Sequence, residues 1–353
     1  MLSKIKSFIC VFFLVFILFS PGAVHSELVI IDSFPTPDSV TPHGLTFDGT
    51  NLWCAGYSND TIYKLDMSGN TILSFNSPGQ SPTGLTFDGT HLWSTDDVTL
   101  QIYKLDPATG GVIESFNAPG TDSTGLTFDG THLWNADFSW SDPFGLIHKM
   151  DRSGNLVGTY YSPGDGPEGL TFDGFFIWHS DFYNNKIYQL TMDGNVLSST
   201  DSHVINPIGL AFDGQYLWVA SFSENRIYKL AIIPTPSIKA NGMDGPIQIG
   251  SGNPLSIHIA LASGSFTGHA ADWWCLADTP VGWYSYRPAT GTWSPGLQVT
   301  LNRPLLNLPV TKILMHSGLP NGNYRFYFGI DDLMNSIIDG NVFYDQVVVT
   351  VGP

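Results

Sequence analysis

His43 and Glu168 stand at equivalent places in this chain, each directly before a glycine that recurs as Gly44, Gly84, Gly125, Gly169 and Gly209. The same place holds Thr83, Thr124 and Ile208 in the other three copies. A histidine and a glutamate brought together can act as a general acid/base pair. Tryptophans recur as Trp53, Trp93, Trp134, Trp178 and Trp218, and three positions after each stand Gly56, Asp96, Asp137, Asp181 and Ser221. Carboxylates crowding beside Glu168 would raise one another's pKa values or recruit a cation. Oxygen ligands of this kind suit Ca²⁺ better than zinc. Otherwise no cofactor is implied. His179 also breaks the pattern, and the longer gap in the third copy, Phe138-Ser-Trp-Ser-Asp-Pro-Phe144, places Trp140 on an expected protruding loop. His43, Glu168 and His179 are therefore the catalytic candidates, and Asp96, Asp137, Asp181 and Trp140 the ligand-binding ones. The recurring Asp after the tryptophan equally serves as a turn-forming hydrogen-bond acceptor, and that reading is the weightier.

The elements that must position these residues follow from the repeat. Its clearest copy is Pro82-Thr-Gly-Leu-Thr-Phe-Asp-Gly-Thr-His-Leu-Trp93, then Ile102-Tyr-Lys-Leu-Asp106. The glycines are spaced 40, 41, 44 and 40 residues apart. A period of this size with several short strands per copy signals propeller blades. Leu85–Phe87 and His91–Trp93 read as two strands joined at Asp88-Gly89, a pairing expected to form a type I′ turn. Gln101–Leu105 and Val112–Phe116 supply the third and fourth. Both faces of these strands are largely apolar, as in sheets packed between neighbours. The recurring tryptophans are expected to fill that inter-blade core.

Val29-Ile-Ile-Asp-Ser-Phe34 matches a fourth strand, while the fifth copy ends at Ile227-Tyr-Lys-Leu230 without one. The N-terminal strand is therefore expected to complete the last of five blades and remove the exposed edges. The sequence predicts an all-β protein: a five-bladed β-propeller over 27–233, then a β-sandwich over 234–353. Pro234-Thr-Pro236 reads as the stiff linker between them. About seven short strands over ~115 residues fit a sandwich. Leu319-Pro-Asn-Gly-Asn-Tyr324 resembles the tyrosine corner of immunoglobulin-like domains. Within this part, Asp272-Trp-Trp274, Trp283-Tyr-Ser-Tyr286 and Trp293 offer an aromatic platform or simply a core. Asp331, Asp332, Asn335 and Asp339 are oxygen-rich without matching an EF-hand.

Residues 1–26 have the form of a secretory signal. Lys4 and Lys6 precede the twelve apolar residues Phe8 to Phe19, and Val24-His-Ser26 offers a cleavage site. Twelve apolar residues fall short of the ~20 that span a bilayer. Without Lys4 and Lys6, the 14 basic residues become 12 against 31 acidic, a formal charge of −19. That argues against nucleic acid and anionic lipid as partners. Cys54 and Cys275 are too few for a disulfide framework and read as two buried thiols.

The Gly-Leu-Thr-Phe-Asp-Gly-x-x-Leu-Trp and Ile-Tyr-Lys-Leu strings, over about 29–232, resemble the NHL and YVTN class of secreted propellers. They are more loosely similar to the gluconolactonase and virginiamycin B lyase propellers. Those relatives often have six or seven blades. Five-bladed folds include plant-type glutaminyl cyclases and tachylectin-type lectins, an analogy of fold alone. The chain has no nucleophile elbow, HExxH, P-loop or Rossmann fingerprint. The leading expectation is a binding or scaffold protein, secreted or periplasmic, that recognises a protein, peptide or glycan through the propeller face. The resemblance leaves two alternatives: a lactonase, lyase or cyclase-type enzyme using the channel mouth, and a multivalent lectin.

Overall fold

The computed structural model describes residues 27–138 and 145–353; the expected signal segment and Trp140 lie outside them. The described chain is all β, its helical content limited to two 3₁₀ turns at Pro37–Ser39 and Gly264–Phe266. Among the described residues there are five four-stranded antiparallel sheets. Their first strands are Pro42–Phe47, Pro82–Phe87, Ser123–Phe128, Pro167–Phe172 and Pro207–Phe212. These strands pack in a closed cycle, each against the next and the last against the first.

The recurring glycines permit that cycle. A Cβ at Gly44 would lie 2.5 Å from Thr83 O, and one at Gly84 would lie 2.6 Å from Thr124 O. Cβ atoms at Gly125, Gly169 and Gly209 would press still harder on the carbonyls of Glu168, Ile208 and His43. Backbone meets backbone around the whole axis, which only glycine allows.

Four sheets are built from consecutive strands, and the fifth takes its outer strand from the other end of the chain. Leu28–Pro35 pairs antiparallel with Arg226–Ile232, from Leu28 opposite Ile232 to Pro35 opposite Arg226. Phe34 then sits 5.8 Å from Trp218, as Phe75 does from Trp53 and Phe116 from Trp93 at 5.9 and 6.1 Å. A Cβ on Gly69 of the first sheet would strike the Phe34 ring, just as one on Gly110 would strike Phe75. The N-terminal strand thus fills the place that a fourth strand fills elsewhere.

Each tryptophan is buried between sheets and keeps its indole satisfied. Trp53, Trp93, Trp134, Trp178 and Trp218 donate to Asp48, Asp88, Asp129, Asp173 and Asp213 at 2.7–2.9 Å. The other oxygen of each Asp accepts backbone N–H groups of its own loop, as Asp88 does from Thr90 and His91. This corrects the expected type I′ turn. Gly89 has φ 90°, but Asp88 does not enter the positive-φ region. The connection is a four-residue loop in which the aspartate closes the turn with its side chain.

Two further expectations change. The fourth strands are not apolar-covered on both faces: Val112, Ile113, Leu156 and Val157 are all more than half exposed. They lie at the rim, where neighbouring sheets diverge. Nor is Pro234-Thr-Pro236 only a stiff linker, because Thr235–Ala240 is an edge strand paired with Pro254–Ala262. Proline is tolerated at such an edge.

The remaining strands form a three-stranded and a seven-stranded sheet that share one apolar core, with Trp273, Phe326, Phe328 and Val349 at its centre. Tyr324 is buried, and its hydroxyl donates to Pro320 O at 2.9 Å, the tyrosine-corner bond. Ser265 joins the two parts of the chain. Its Oγ accepts from Ile232 N at 2.8 Å and donates to Gln215 O at 2.5 Å. Cys54 and Cys275 are free and buried, and burial pushes both thiols up to about 12.

The crowded axis generates a prediction. Gly209→Ala should destabilise the protein by about 3 kcal/mol, because overpacking against backbone cannot relax through a side chain. Gly245, with open space where its Cβ would go, should tolerate alanine within ~0.5 kcal/mol. Chemical denaturation of both variants checks this; equal, small effects would contradict it.

Candidate functional site at the end of the axis

The residue before each axial glycine is the second of the first strand of its sheet, so all five meet at one end of the axis. Two of the five satisfy themselves by reaching the next sheet. Thr83 Oγ1 donates to Ser123 O at 2.6 Å and Thr124 Oγ1 to Pro167 O at 2.9 Å. His43 and Glu168 do something different: His43 Nε2 stands 3.6 Å from Glu168 Oε2. Both side chains are mostly buried, and Glu168 Oε2 accepts no hydrogen bond. Ile208 is the apolar fifth member.

Burial decides the protonation of this pair. Removal from water pushes the His43 imidazole down to about 4. It pushes the Glu168 carboxyl well above the usual carboxylate range, and the negative Asp122, Asp97 and Asp181 push it further. Near neutrality the imidazole is uncharged and the carboxyl holds its proton more tightly than a solvent-exposed glutamate. A proton donor and a neutral acceptor stand side by side, and neither is compensated by an opposite charge.

The mouth around the pair comes from the residue that follows each second strand. Tyr57, Asp97, Phe138, Phe182 and Phe222 are equivalent, each donating its backbone N–H to the loop before the first strand, at Thr41, Ser81, Asp122, Gly166 and Asn206. Tyr57 packs 5.2 Å from the His43 ring, and its hydroxyl lies 3.4 Å from Asp97 Oδ2. Burial, followed by the charges of Asp96 and Asp122, pushes Asp97 up to about 6. On the other side the rings touch in series. Phe138 lies 5.9 Å from Tyr183, Tyr183 5.3 Å from Phe182, and Phe182 5.7 Å from Phe222. Phe182 also packs on the cluster that contains Ile208. The mouth therefore carries Asp97 on the second sheet and aromatic rings on the third to fifth, with Glu168 at its base on the same sheet as Phe182.

His43 and Glu168 are thus brought together as the sequence suggests. The other candidates are not. Asp96 Oδ1 accepts from Thr99 N and Oγ1, and Asp137 Oδ1 from Thr121 N and Asp122 N. Asp181 accepts from Tyr183 N, Asn184 N and Asn184 Nδ2. All three are buried turn acceptors packed under loop glycines, although Asp181 still adds its charge to the field at Glu168. His179 is fully buried between Gly169 O and Ser162 Oγ, at 3.1 and 3.2 Å, away from the mouth.

The C-terminal candidates also resolve. Trp273 and Trp274 are buried, the latter donating to Asp331 Oδ2 at 2.7 Å, so they form no platform. Trp283 instead packs against Tyr327, ring centroids 5.6 Å apart and tilted. In the acidic loop, Asp272 accepts from Asn335 N and Ser336 N, which ties the loop down. Among the described residues no group of three or more His, Cys, Asp or Glu side chains could hold a metal ion.

Sequence reasoning missed Tyr57, Asp97, Phe182, Tyr183 and Phe222. The available signal was the position four after each tryptophan, which reads Tyr, Asp, Phe, Phe, Phe where the motif around it repeats.

No protein-family model matches the chain, and no curated protein matches it. Solved structures do. A glutaminyl cyclase from Myxococcus xanthus is 15% identical, with a TM-score of 0.52 over 59% of this chain and 97% of that one. An aldose sugar dehydrogenase from Streptomyces coelicolor, solved with PQQ bound, is 12% identical (TM-score 0.43, 60% of this chain and 99% of that one). Regucalcin from Agrobacterium tumefaciens, described as a calcium-binding protein, is 15% identical (TM-score 0.41, 60% and 96%). These are β-propeller proteins, and at such identities the likeness is one of fold. Among the described residues no helix is long and apolar enough to cross a membrane.

His179 gives the prediction here. Its imidazole is pushed down to about 4 by burial. The unfolded chain takes up this proton below about pH 6.5 and the folded protein only near pH 4, so stability falls as pH drops through that window. Relative to His179→Gln, the wild type should lose about 3 kcal/mol between pH 7 and pH 4. Urea denaturation across that range measures it; parallel pH profiles would contradict it.

Proposed function

We propose that this chain is an exported five-bladed β-propeller, residues 27–233, carrying an immunoglobulin-like accessory sandwich, residues 234–353. In this reading it belongs to the NHL and YVTN class and binds a ligand at the mouth of its axis. Five four-stranded sheets support the blade count, and the Tyr324–Pro320 bond supports the sandwich. The form of residues 1–26 supports export. One observation carries the binding reading: the fivefold equivalence breaks at one end, where His43, Glu168, Tyr57, Asp97, Phe182, Tyr183 and Phe222 gather. Structural repetition explains residues that recur, whereas a buried carboxyl without a hydrogen-bond partner has a cost that a ligand can offset. The ligand is a peptide, a protein segment or a glycan.

A catalytic reading of the lactonase, lyase or cyclase kind rests on the same pair. A carboxyl that keeps its proton beside a neutral imidazole has the form of a general acid and base. The multivalent lectin reading draws less support, because the five equivalent mouth positions differ in chemistry.

Peptide and glycan arrays probed with wild type, Glu168→Gln and Phe182→Ala separate these readings. Binding by wild type that falls at least ~10-fold in both variants, a loss of about 1.4 kcal/mol, is expected. Variants that bind as wild type would remove the mouth from the account. Conversion of an arrayed ligand that stops with Glu168→Gln while binding persists would favour catalysis.

A further inference from the structure

The mouth combines carboxyl groups with aromatic rings, and that combination specifies a class of ligand. At the base stands Glu168 of the fourth sheet, whose buried Oε2 lacks a hydrogen bond, and at the rim Asp97 of the second, whose buried Oδ1 also lacks one. Asp122 adds its charge to both Asp97 and Glu168, and Asp181 to Glu168. The ion pairs formed by lysine and arginine among the described residues lie elsewhere, at Asp48, Asp88, Asp129, Asp201 and Asp244. Across the axis from Asp97 runs the ring series Phe138, Tyr183, Phe182 and Phe222 of the third to fifth sheets, with Tyr183 and Phe222 partly open to solvent.

We propose that this mouth receives an ammonium group on an apolar stem, the ammonium against Glu168 and Asp97 and the stem across Phe182, Tyr183 and Phe222. The inference rests on the mouth being the binding site and names what it takes. Two sources share this chemistry, a lysine side chain and a free amino terminus of a peptide.

The alternatives fail on magnitudes. An anionic ligand would enter a site with four carboxyl groups nearby, where each close like charge costs several kcal/mol. A neutral ligand would gain from the rings but leave the Glu168 and Asp97 oxygens buried and unpaired, at about 1–3 kcal/mol each. An ammonium supplies the donors that such oxygens lack and adds ~0.5–2 kcal/mol from the aromatic faces. Its arrival also changes the protonation of the site. His43, Tyr57, Asp97, Asp122 and Asp181 are the titratable groups that face Glu168. Among them Glu168 must release its proton to hold a cation, so affinity rises with pH.

Isothermal titration with four small peptides tests this. Blocked Ac-Ala-Lys-Ala-NH₂ is compared with its acetyl-lysine analogue, and free-amine Phe-Ala-Ala-NH₂ with its N-acetylated form. At least one charged peptide should bind, at least ~10-fold more tightly than its neutral counterpart and more tightly at pH 8 than at about pH 5. Which charged peptide binds identifies the source. Glu168→Gln should weaken that binding ~10-fold or more, and Phe182→Ala should weaken it too, with melting curves showing both variants folded. Should Glu168→Gln not fold, Asp97→Asn reports on the other carboxyl.

Equal binding of charged and neutral peptides, or no binding of either charged peptide at millimolar concentration, would overturn the inference. A neutral or anionic array ligand that depends on Phe182 would overturn it while leaving the mouth as the binding site. Array ligands indifferent to every mouth variant would remove both.

Discussion

The whole wheel depends on one repeated close approach, the α-carbon of an axial glycine against the carbonyl oxygen of the next sheet. Five such contacts, from Gly44 against Thr83 round to Gly209 against His43, set the radius of the ring. They leave no room for a Cβ and little for solvent along the axis. Everything farther out follows from that radius. The tryptophans fill the wedge between diverging sheets, and the strand at Leu28–Pro35 must return to close the last one.

The same crowding makes the chemistry. A residue placed one step before the glycine is held at the end of a narrow, poorly hydrated axis. Threonine fits there because its hydroxyl can donate to the neighbouring sheet, as Thr83 and Thr124 do. Histidine reaches the Thr83 backbone and glutamate leaves Oε2 without a partner, and burial shifts each toward its neutral form. The fold thus tightens a carboxyl's hold on its proton by burial, and the acids Asp122, Asp97 and Asp181 reinforce it.

Much of this could be read in the sequence for a physical reason. A repeat built on one-residue requirements, glycine at the axis and tryptophan in the wedge, shows itself as invariance. Departures at His43 and Glu168 then stand out. Legibility stopped where the signal was alternation rather than identity. Successive strand residues face opposite ways, so Asp96 turns under its own loop while Asp97, one residue on, faces the mouth. The aromatic side was missed because Phe182 and Phe222 look like ordinary strand-end apolar residues until the ring brings them together. In the C-terminal part, alternation likewise sends Trp273 into the core and leaves Trp283 at its edge.

The state of one carboxyl group tests the dry axial end most directly. Carbon-13 NMR of the protein labelled at glutamate side-chain carboxyls, with Glu168 assigned by its loss in Glu168→Gln, follows that proton directly. The Glu168 signal should still be that of the protonated acid at pH values where an exposed glutamate, near ~4.3, has ionised. A Glu168 carboxyl that ionises together with exposed glutamates would contradict the picture of a dry axial end, and with it the site built there.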